Sequence, residues 1–173
     1  MELRKFIERT AATGILGVKI TQNGEDMGKH LWDEECRRNI YSASKSFTSA
    51  AVGIAVKEGL LRLEERLVDA FSEDIPENPN EFLQQATVRD LLTMCLGQQN
   101  AELMGGQRPF YQQKDWVRMS LAFPFTECPG KRFLYNNVGP YLAGILVQRR
   151  AGCDLVSLSL IHISEPTRHA QIS

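Results

Sequence analysis

The residues best suited to chemistry lie in the stretch Tyr41-Ser42-Ala43-Ser44-Lys45, where a serine and a lysine stand three positions apart. Residues three apart share a face of a helix, so the hydroxyl of Ser42 and the amine of Lys45 can meet. The helix dipole and burial both favour a neutral amine, which can accept a proton. The pair therefore predicts a serine nucleophile activated by lysine, without a histidine. The backbone N–H of Ser42 is a candidate donor to an oxyanion.

The alternative is a polar first helical turn whose lysine simply reaches water. A Ser-x-x-Lys match arises by chance about once in a few hundred positions, so its context has to decide. The match occurs once, where a strand-like segment through Arg37 to Tyr41 leads into an apolar helix. That placement favours the chemical interpretation.

A second motif is Tyr135-Asn136-Asn137, the only Tyr-x-Asn of the sequence. It follows the turn predicted at Pro129-Gly130 and precedes an apolar segment of helical periodicity. Its structural alternative is a packed tyrosine at a helix start with Asn137 as the N-cap.

Three stretches carry a resemblance to a known family: IYSASKSFTSAAVGIAVKEGLLRLEERL, ATVRDLLTMCLG and PGKRFLYNNVGPYLAGIL. Together they resemble the serine beta-lactamase and penicillin-binding-protein superfamily, in the class C-like branch with D-alanyl-D-alanine peptidases and esterases. The similarity runs from the first hairpin to about Gly152. It implies an acyl-serine hydrolase in which Ser42 is the nucleophile, Lys45 and Tyr135 share the proton transfers, and Asn137 holds the amide side of the substrate.

The resemblance also implies a small-molecule substrate, which is an acyl ester, an amide or a beta-lactam. We expect no cofactor, and no metal because no carboxylate and histidine cluster has metal-ligand spacing. One departure concerns the family's third motif, a Lys or His followed by Thr or Ser and then Gly, which residues 1–157 do not contain. The nearest match, Ala12-Thr13-Gly14, has the wrong first residue and location. That motif lies on a strand that supplies a second oxyanion donor. We therefore expect the full-length protein to be an enzyme and this chain to be an impaired, aggregation-prone fragment.

The segment 158–173 resembles a translated sequencing-library adapter. Residues 158–168 back-translate onto a transposon-end adapter, residues 169–171 fit a variable index, and Ile172-Ser173 fit the constant sequence that resumes after it. We expect an authentic partial domain over 1–157 and an artefact over 158–173. His30 is then the only authentic histidine, and its place on a predicted strand favours packing or solvation over catalysis.

The resemblance implies an α+β fold of beta-lactamase type, with an antiparallel sheet flanked by helices and a helical region, lacking the last sheet strands. The predicted elements are a helix over 2–12, a hairpin turning at Asn23-Gly24, a buried helix after Ser42, a helix capped by Thr87 and Asp90, a short helix over 114–122 and a helix ending at Gly152. The buried face of the helix after Ser42 is predicted from Phe47, Ala50, Ala51, Ile54 and Ala55. Residues 61–80 are predicted to be a surface excursion, and residues 98–113 a polar loop.

Composition narrows the function classes. Hydrophobic residues make up 43%, charged residues 24%, and the formal net charge is -1, which is typical of a globular protein without a basic nucleic-acid face. The sequence shows no secretory signal or membrane span, which indicates a cytoplasmic protein. The cysteines lack the spacing of a zinc or redox site. Two alternatives to a hydrolase stay open: a catalytically silent binding or sensing relative, and a non-enzymatic helical interaction module.

Overall fold

A computed structural model of the chain describes residues 3–34 and 36–158. The chain divides after Ile40 into two compact units. Within the described residues the fold is α+β, with eight α-helices, two 3₁₀ helices and one two-stranded antiparallel sheet. The elements are α1 (Arg4–Thr10), β1 (Gly17–Gln22), β2 (Glu25–Leu31), α2 (Ser44–Lys57), α3 (Leu67–Ala70), α4 (Glu81–Gln85), α5 (Val88–Thr93), α6 (Trp116–Ala122), α7 (Val138–Ala151) and α8 (Leu155–Leu158).

The first unit contains α1 and the hairpin β1–β2. The turn is the predicted Asn-Gly pair, with φ of 52° at Asn23 and 83° at Gly24, which matches the type I′ turn that the strand twist favours. Gly17 pairs with Leu31 and the register shifts between Ile20 and Thr21. No described residue of this unit is buried, so its strands have no core of their own.

The second unit contains the hydrophobic core, which forms where α2 and α5 pack on α7. Gly139 permits the contact between α5 and α7, because a Cβ at this position would lie 2.3 Å from the backbone oxygen of Leu91. The prediction of a helix after Ser42 is confirmed. The prediction of its buried face is partly wrong, because Ala51, Val52 and Ala55 are buried, whereas Phe47 is 45% exposed.

The prediction that residues 61–80 are a surface excursion is wrong. This segment forms α3, and it places Leu67 and Phe71 in the core with 0% and 1% exposure. Asp74 is also buried, at 8% exposure, and accepts a 2.5 Å hydrogen bond from Arg149 of α7. Residues 61–80 lie partly inside because their apolar side chains join the core and Asp74 pairs with Arg149 of α7, a helix distant in sequence.

Several local predictions are confirmed. The capping box of α5 is present, with the backbone N–H and the hydroxyl of Thr87 both donating to Asp90 Oδ2 at 2.8 and 2.7 Å. Helix α6 begins after the N-cap Asp115, and α7 ends at Gly152, whose φ is 66°. The strand-like segment predicted through Arg37 to Tyr41 is not a strand.

The segment predicted to be adapter-derived lies outside the described residues except for Leu158, which ends α8 with 5% exposure. Within the described part of the chain, no helix combines the length and apolar character needed to cross a membrane.

Candidate active site

Ser42 lies in a 3₁₀ turn, Tyr41–Ala43, that leads directly into α2. The chain enters this turn through Tyr41 with a positive φ of 43°, which is uncommon for a residue with a side chain. The Ser44 hydroxyl donates a 2.7 Å hydrogen bond to the Tyr41 carbonyl and holds the turn closed. Such local backbone strain concentrates at functional sites, where it fixes one side chain in place.

The structure brings three of the four predicted site residues together around the hydroxyl of Ser42. The phenol of Tyr135 donates to Ser42 Oγ at 2.7 Å, although the two residues are 93 positions apart. Lys45 Nζ donates to the same oxygen at 3.2 Å. The ammonium also lies 5.2 Å from the centroid of the Tyr135 ring, within the range of a cation–π contact.

The contacts with Ser42 and Lys45 lower the pKa of the Tyr135 phenol from its ordinary value. The largest cause is the hydrogen bond with Ser42, followed by the hydrogen bond and positive charge of Lys45, while desolvation opposes the shift. Tyr135 is 40% exposed, so solvent reaches the group. A phenolate formed here could accept the hydroxyl proton of Ser42, with the ammonium of Lys45 stabilising its charge.

The fourth predicted residue, Asn137, lies at the start of α7 and makes no side-chain cap bond there. Its Nδ2 donates 2.9 Å to the carbonyl of Leu103 and contacts Met104 Sδ at 3.7 Å. The capping role belongs to Asn136, which is 1% exposed and whose Oδ1 accepts from the Gly139 N–H at 3.0 Å. The structural alternative is therefore confirmed for the position only: Asn137 is the N-cap residue of α7, but its side chain is turned towards the loop at Leu103.

Sequence reasoning predicted that loop but missed its role in the site. Leu103 has a φ of 59°, and its N–H donates to the Tyr111 hydroxyl at 3.2 Å. Tyr111 in turn donates to Glu102 Oε2 at 2.9 Å, and burial raises the pKa of its phenol. The Leu103 carbonyl accepts from both Asn137 and Arg108. A loop predicted as merely polar thus fixes the position of Asn137.

A cavity of about 260 Å³ adjoins this arrangement. Lys45 belongs to its wall and connects it to the Ser42 hydroxyl. The lining residues are Ser44, Lys45, Thr48, Leu103, Arg108, Trp116, Asn137, Pro140 and Tyr141. The cavity is large enough for a small acyl group and opens beside the candidate nucleophile.

Metal, histidine and cysteine chemistry have less support in the described residues. Among residues 3–34 and 36–158, no cluster of three or more His, Cys, Asp or Glu side chains could hold a metal ion. His30 lies on β2 and packs edge-on against Trp32, with ring centroids 4.6 Å apart. All four cysteines are free thiols.

Comparison with known proteins decides the family. A family model described as Beta-lactamase matches residues 3–166. The chain belongs to the beta-lactamase family. The matched range includes residues 158–166, part of the segment interpreted above as adapter-derived. No curated protein matches the chain in sequence.

Solved structures of this beta-lactamase fold are similar to the chain. A beta-lactamase/D-alanine carboxypeptidase from Pseudomonas syringae is 16% identical with a TM-score of 0.72, covering 95% of this chain and 49% of that protein. An octameric penicillin-binding protein homologue from Pyrococcus abyssi is 23% identical with a TM-score of 0.72, covering 96% and 43%. A D-amino acid amidase from Ochrobactrum anthropi SV3, complexed with D-phenylalanine, is 22% identical with a TM-score of 0.69, covering 95% and 48%. The chain spans about half the length of the solved structures it matches. The predicted α+β beta-lactamase-like fold is confirmed.

Proposed function

We propose that this beta-lactamase family chain carries the nucleophilic half of a serine hydrolase that works through an acyl-serine intermediate. The observation that carries the proposal is the convergence of a phenol and an amine on one serine oxygen, at 2.7 and 3.2 Å. An accidental Ser-x-x-Lys match gives no reason for Tyr135 to meet the same oxygen. The convergence therefore supports an enzyme over a helical interaction module.

The proposed reaction begins with transfer of the Tyr135 proton to solvent, which reaches this exposed side chain; the Ser42 and Lys45 contacts favour the resulting phenolate. Ser42 then gives its proton to the phenolate as its oxygen attacks the substrate carbonyl. The backbone N–H of Ser42 donates to the developing oxyanion. The proton returns to the leaving group through Tyr135, and water cleaves the acyl-serine in a second step.

The substrate is proposed to be a small acyl ester, amide or beta-lactam. The fold neighbours support this range, because they include a D-amino acid amidase and a beta-lactamase/D-alanine carboxypeptidase. The open cavity beside Lys45 gives room for the acyl group.

The direct test is covalent labelling of the 173-residue chain by a fluorescent penicillin and by an activated ester, with mass spectrometry of the labelled peptide. We expect the label on Ser42 and its loss in Ser42→Ala. Ser46→Ala is the matched control, since Ser46 lies four residues along the same segment and is outside the cavity lining. Equal labelling of the two variants would overturn the proposal.

A second candidate is a silent relative that is acylated but does not turn over. It differs from the hydrolase only in the second step, the attack of water on the acyl-serine. A stoichiometric acyl-serine that persists for hours would support this candidate, whereas repeated release of product would support the hydrolase.

A further inference from the structure

The lining of the cavity beside Lys45 is positively charged. Its described lining includes two cations, Lys45 and Arg108, and no carboxylate. Arg108 Nε donates to the carbonyl of Leu103 at 3.0 Å, while its Nη1 and Nη2 have no acceptor among the described residues. A guanidinium fork with open donors at a cavity wall is suited to a carboxylate, which can accept two parallel hydrogen bonds.

The carbonyl oxygen of Leu103 fixes the position of Arg108 relative to the candidate active site. The Leu103 carbonyl accepts from Arg108 Nε and from Asn137 Nδ2, so the two side chains are anchored side by side. Tyr111 holds the backbone of Leu103 through the N–H of that residue. The guanidinium therefore lies in a braced arrangement next to Asn137.

The other lining residues indicate which groups a ligand needs besides an anion. Trp116 and Tyr141 present an aromatic wall, with ring centroids 6.3 Å apart. Thr48 is a further lining residue. The combination suits a short apolar chain that ends in an anion.

We propose that Arg108 selects substrates whose acyl group carries a carboxylate remote from the scissile carbonyl. The scissile carbonyl lies at Ser42, the acyl chain follows the cavity, and the carboxylate pairs with Nη1 and Nη2 of Arg108. This inference deepens the proposed serine hydrolase function and rests on it for the position of the scissile bond.

The kinetic test compares p-nitrophenyl hexanoate with mono-p-nitrophenyl adipate, whose acyl chains are equal in length and differ in a terminal carboxylate. The Ser42→Ala rate is subtracted from each. We expect the wild-type chain to prefer the adipate ester by about tenfold in kcat/KM, the worth of one charge-assisted hydrogen bond. Arg108→Gln should abolish that preference, so that the ratio of the two kcat/KM values falls to about one.

Two variants separate recognition from structure. Arg108→Lys keeps the charge without the fork and should retain part of the preference. Arg62→Gln removes an exposed arginine outside the cavity and should leave the ratio of the two rates unchanged. A purely structural role for Arg108 would lower both rates together and leave that ratio unchanged.

Ligand-observed NMR tests the inference even without turnover. In Ser42→Ala, adipamate should bind about tenfold tighter than hexanamide, and Ser42→Ala with Arg108→Gln should bind the two equally. Tighter binding of adipamate with no Ser42-dependent hydrolysis of either ester would uphold the anion site and reject the hydrolase. Equal binding of the two amides in Ser42→Ala would overturn the role of Arg108, even where Ser42 hydrolyses both esters.

Discussion

At the scale of single residues, the site depends on which group takes the proton of Ser42. The phenol of Tyr135 and the amine of Lys45 both donate to Ser42 Oγ, so one of them must lose a proton before it can accept one. The lowered pKa of Tyr135 makes the phenol a candidate base. The spacing of Ser42 and Lys45 alone predicted a neutral lysine as the base, because the 93-residue separation of Tyr135 from Ser42 hides their contact. The family resemblance had already implied that Tyr135 shares the proton transfers with Lys45.

An alkaline titration monitored by phenolate absorbance tests this assignment. Because its pKa is lowered, Tyr135 should ionise at lower pH than Tyr111 and Tyr141, whose pKa values burial raises. Lys45→Met removes a positive charge that favours the phenolate, so the Tyr135 step should move to higher pH. Tyr135→Phe should remove that step and slow Ser42 acylation by about 100-fold or more, the usual contribution of a general base.

The difference spectrum between wild type and Tyr135→Phe isolates this one phenol, and Tyr141→Phe is the matched control for loss of a tyrosine. A Tyr135 step at or above the ordinary phenol pKa would contradict the assignment. A pH of Tyr135 ionisation that Lys45→Met leaves unchanged would also contradict the assignment.

At the scale of elements, the site depends on how closely α7 approaches α5. Gly139→Ala would place a Cβ 2.3 Å from the Leu91 carbonyl, so one helix has to move. We expect a loss of about 2 kcal/mol or more in the free energy of unfolding, as for other overpacked cores. Gly53→Ala is the matched control, because Gly53 is also within a helix and has no atom within 4 Å of the added Cβ.

Gly53→Ala should instead stabilise by about 0.5 to 1 kcal/mol through helix propensity. Denaturant unfolding measures both values. Gly139→Ala should also slow Ser42 labelling, since the Gly139 N–H is bonded to Asn136 and a shift of α7 displaces Asn137. Equal stability of the two variants would show that the α5–α7 contact is not tight.

What the sequence predicts well is local. Asn23-Gly24 specifies its turn, Thr87 and Asp90 specify their cap, and the three-residue spacing of Ser42 and Lys45 places both on one face. These features depend on neighbours within a few residues, so the residue types carry the information.

What the sequence predicts poorly depends on contacts between distant segments. Asp74 appears as a solvated charge until Arg149 of α7 is known to pair with it. The role of Leu103 comes from a left-handed backbone conformation that a leucine does not suggest. The roles of Tyr135, Asn137 and Arg108 depend on where the loop and α7 meet α2, which periodicity alone does not determine. The catalytic roles of Ser42, Lys45 and Tyr135 stay predictions.

At the scale of the whole molecule, the two compact units differ in how much each buries. The described residues before Tyr41 include no buried side chain, whereas the second unit contains the entire core of the described chain. A two-stranded hairpin is marginal in water without a hydrophobic face to pack. The unit that contains Ser42 should therefore hold its structure under conditions where the hairpin opens.

Hydrogen exchange monitored by mass spectrometry tests this difference. Peptides covering β1 and β2 should exchange orders of magnitude faster than peptides covering the buried residues of α7, because local opening of the hairpin exposes little apolar surface. The exposed N–H and C=O groups of the strand edges can also pair with a second copy. Protection of the hairpin should therefore rise with protein concentration, while that of α7 stays constant. Equal, concentration-independent protection of both would show that the hairpin is stabilised within one chain and would contradict the expected aggregation through its edges.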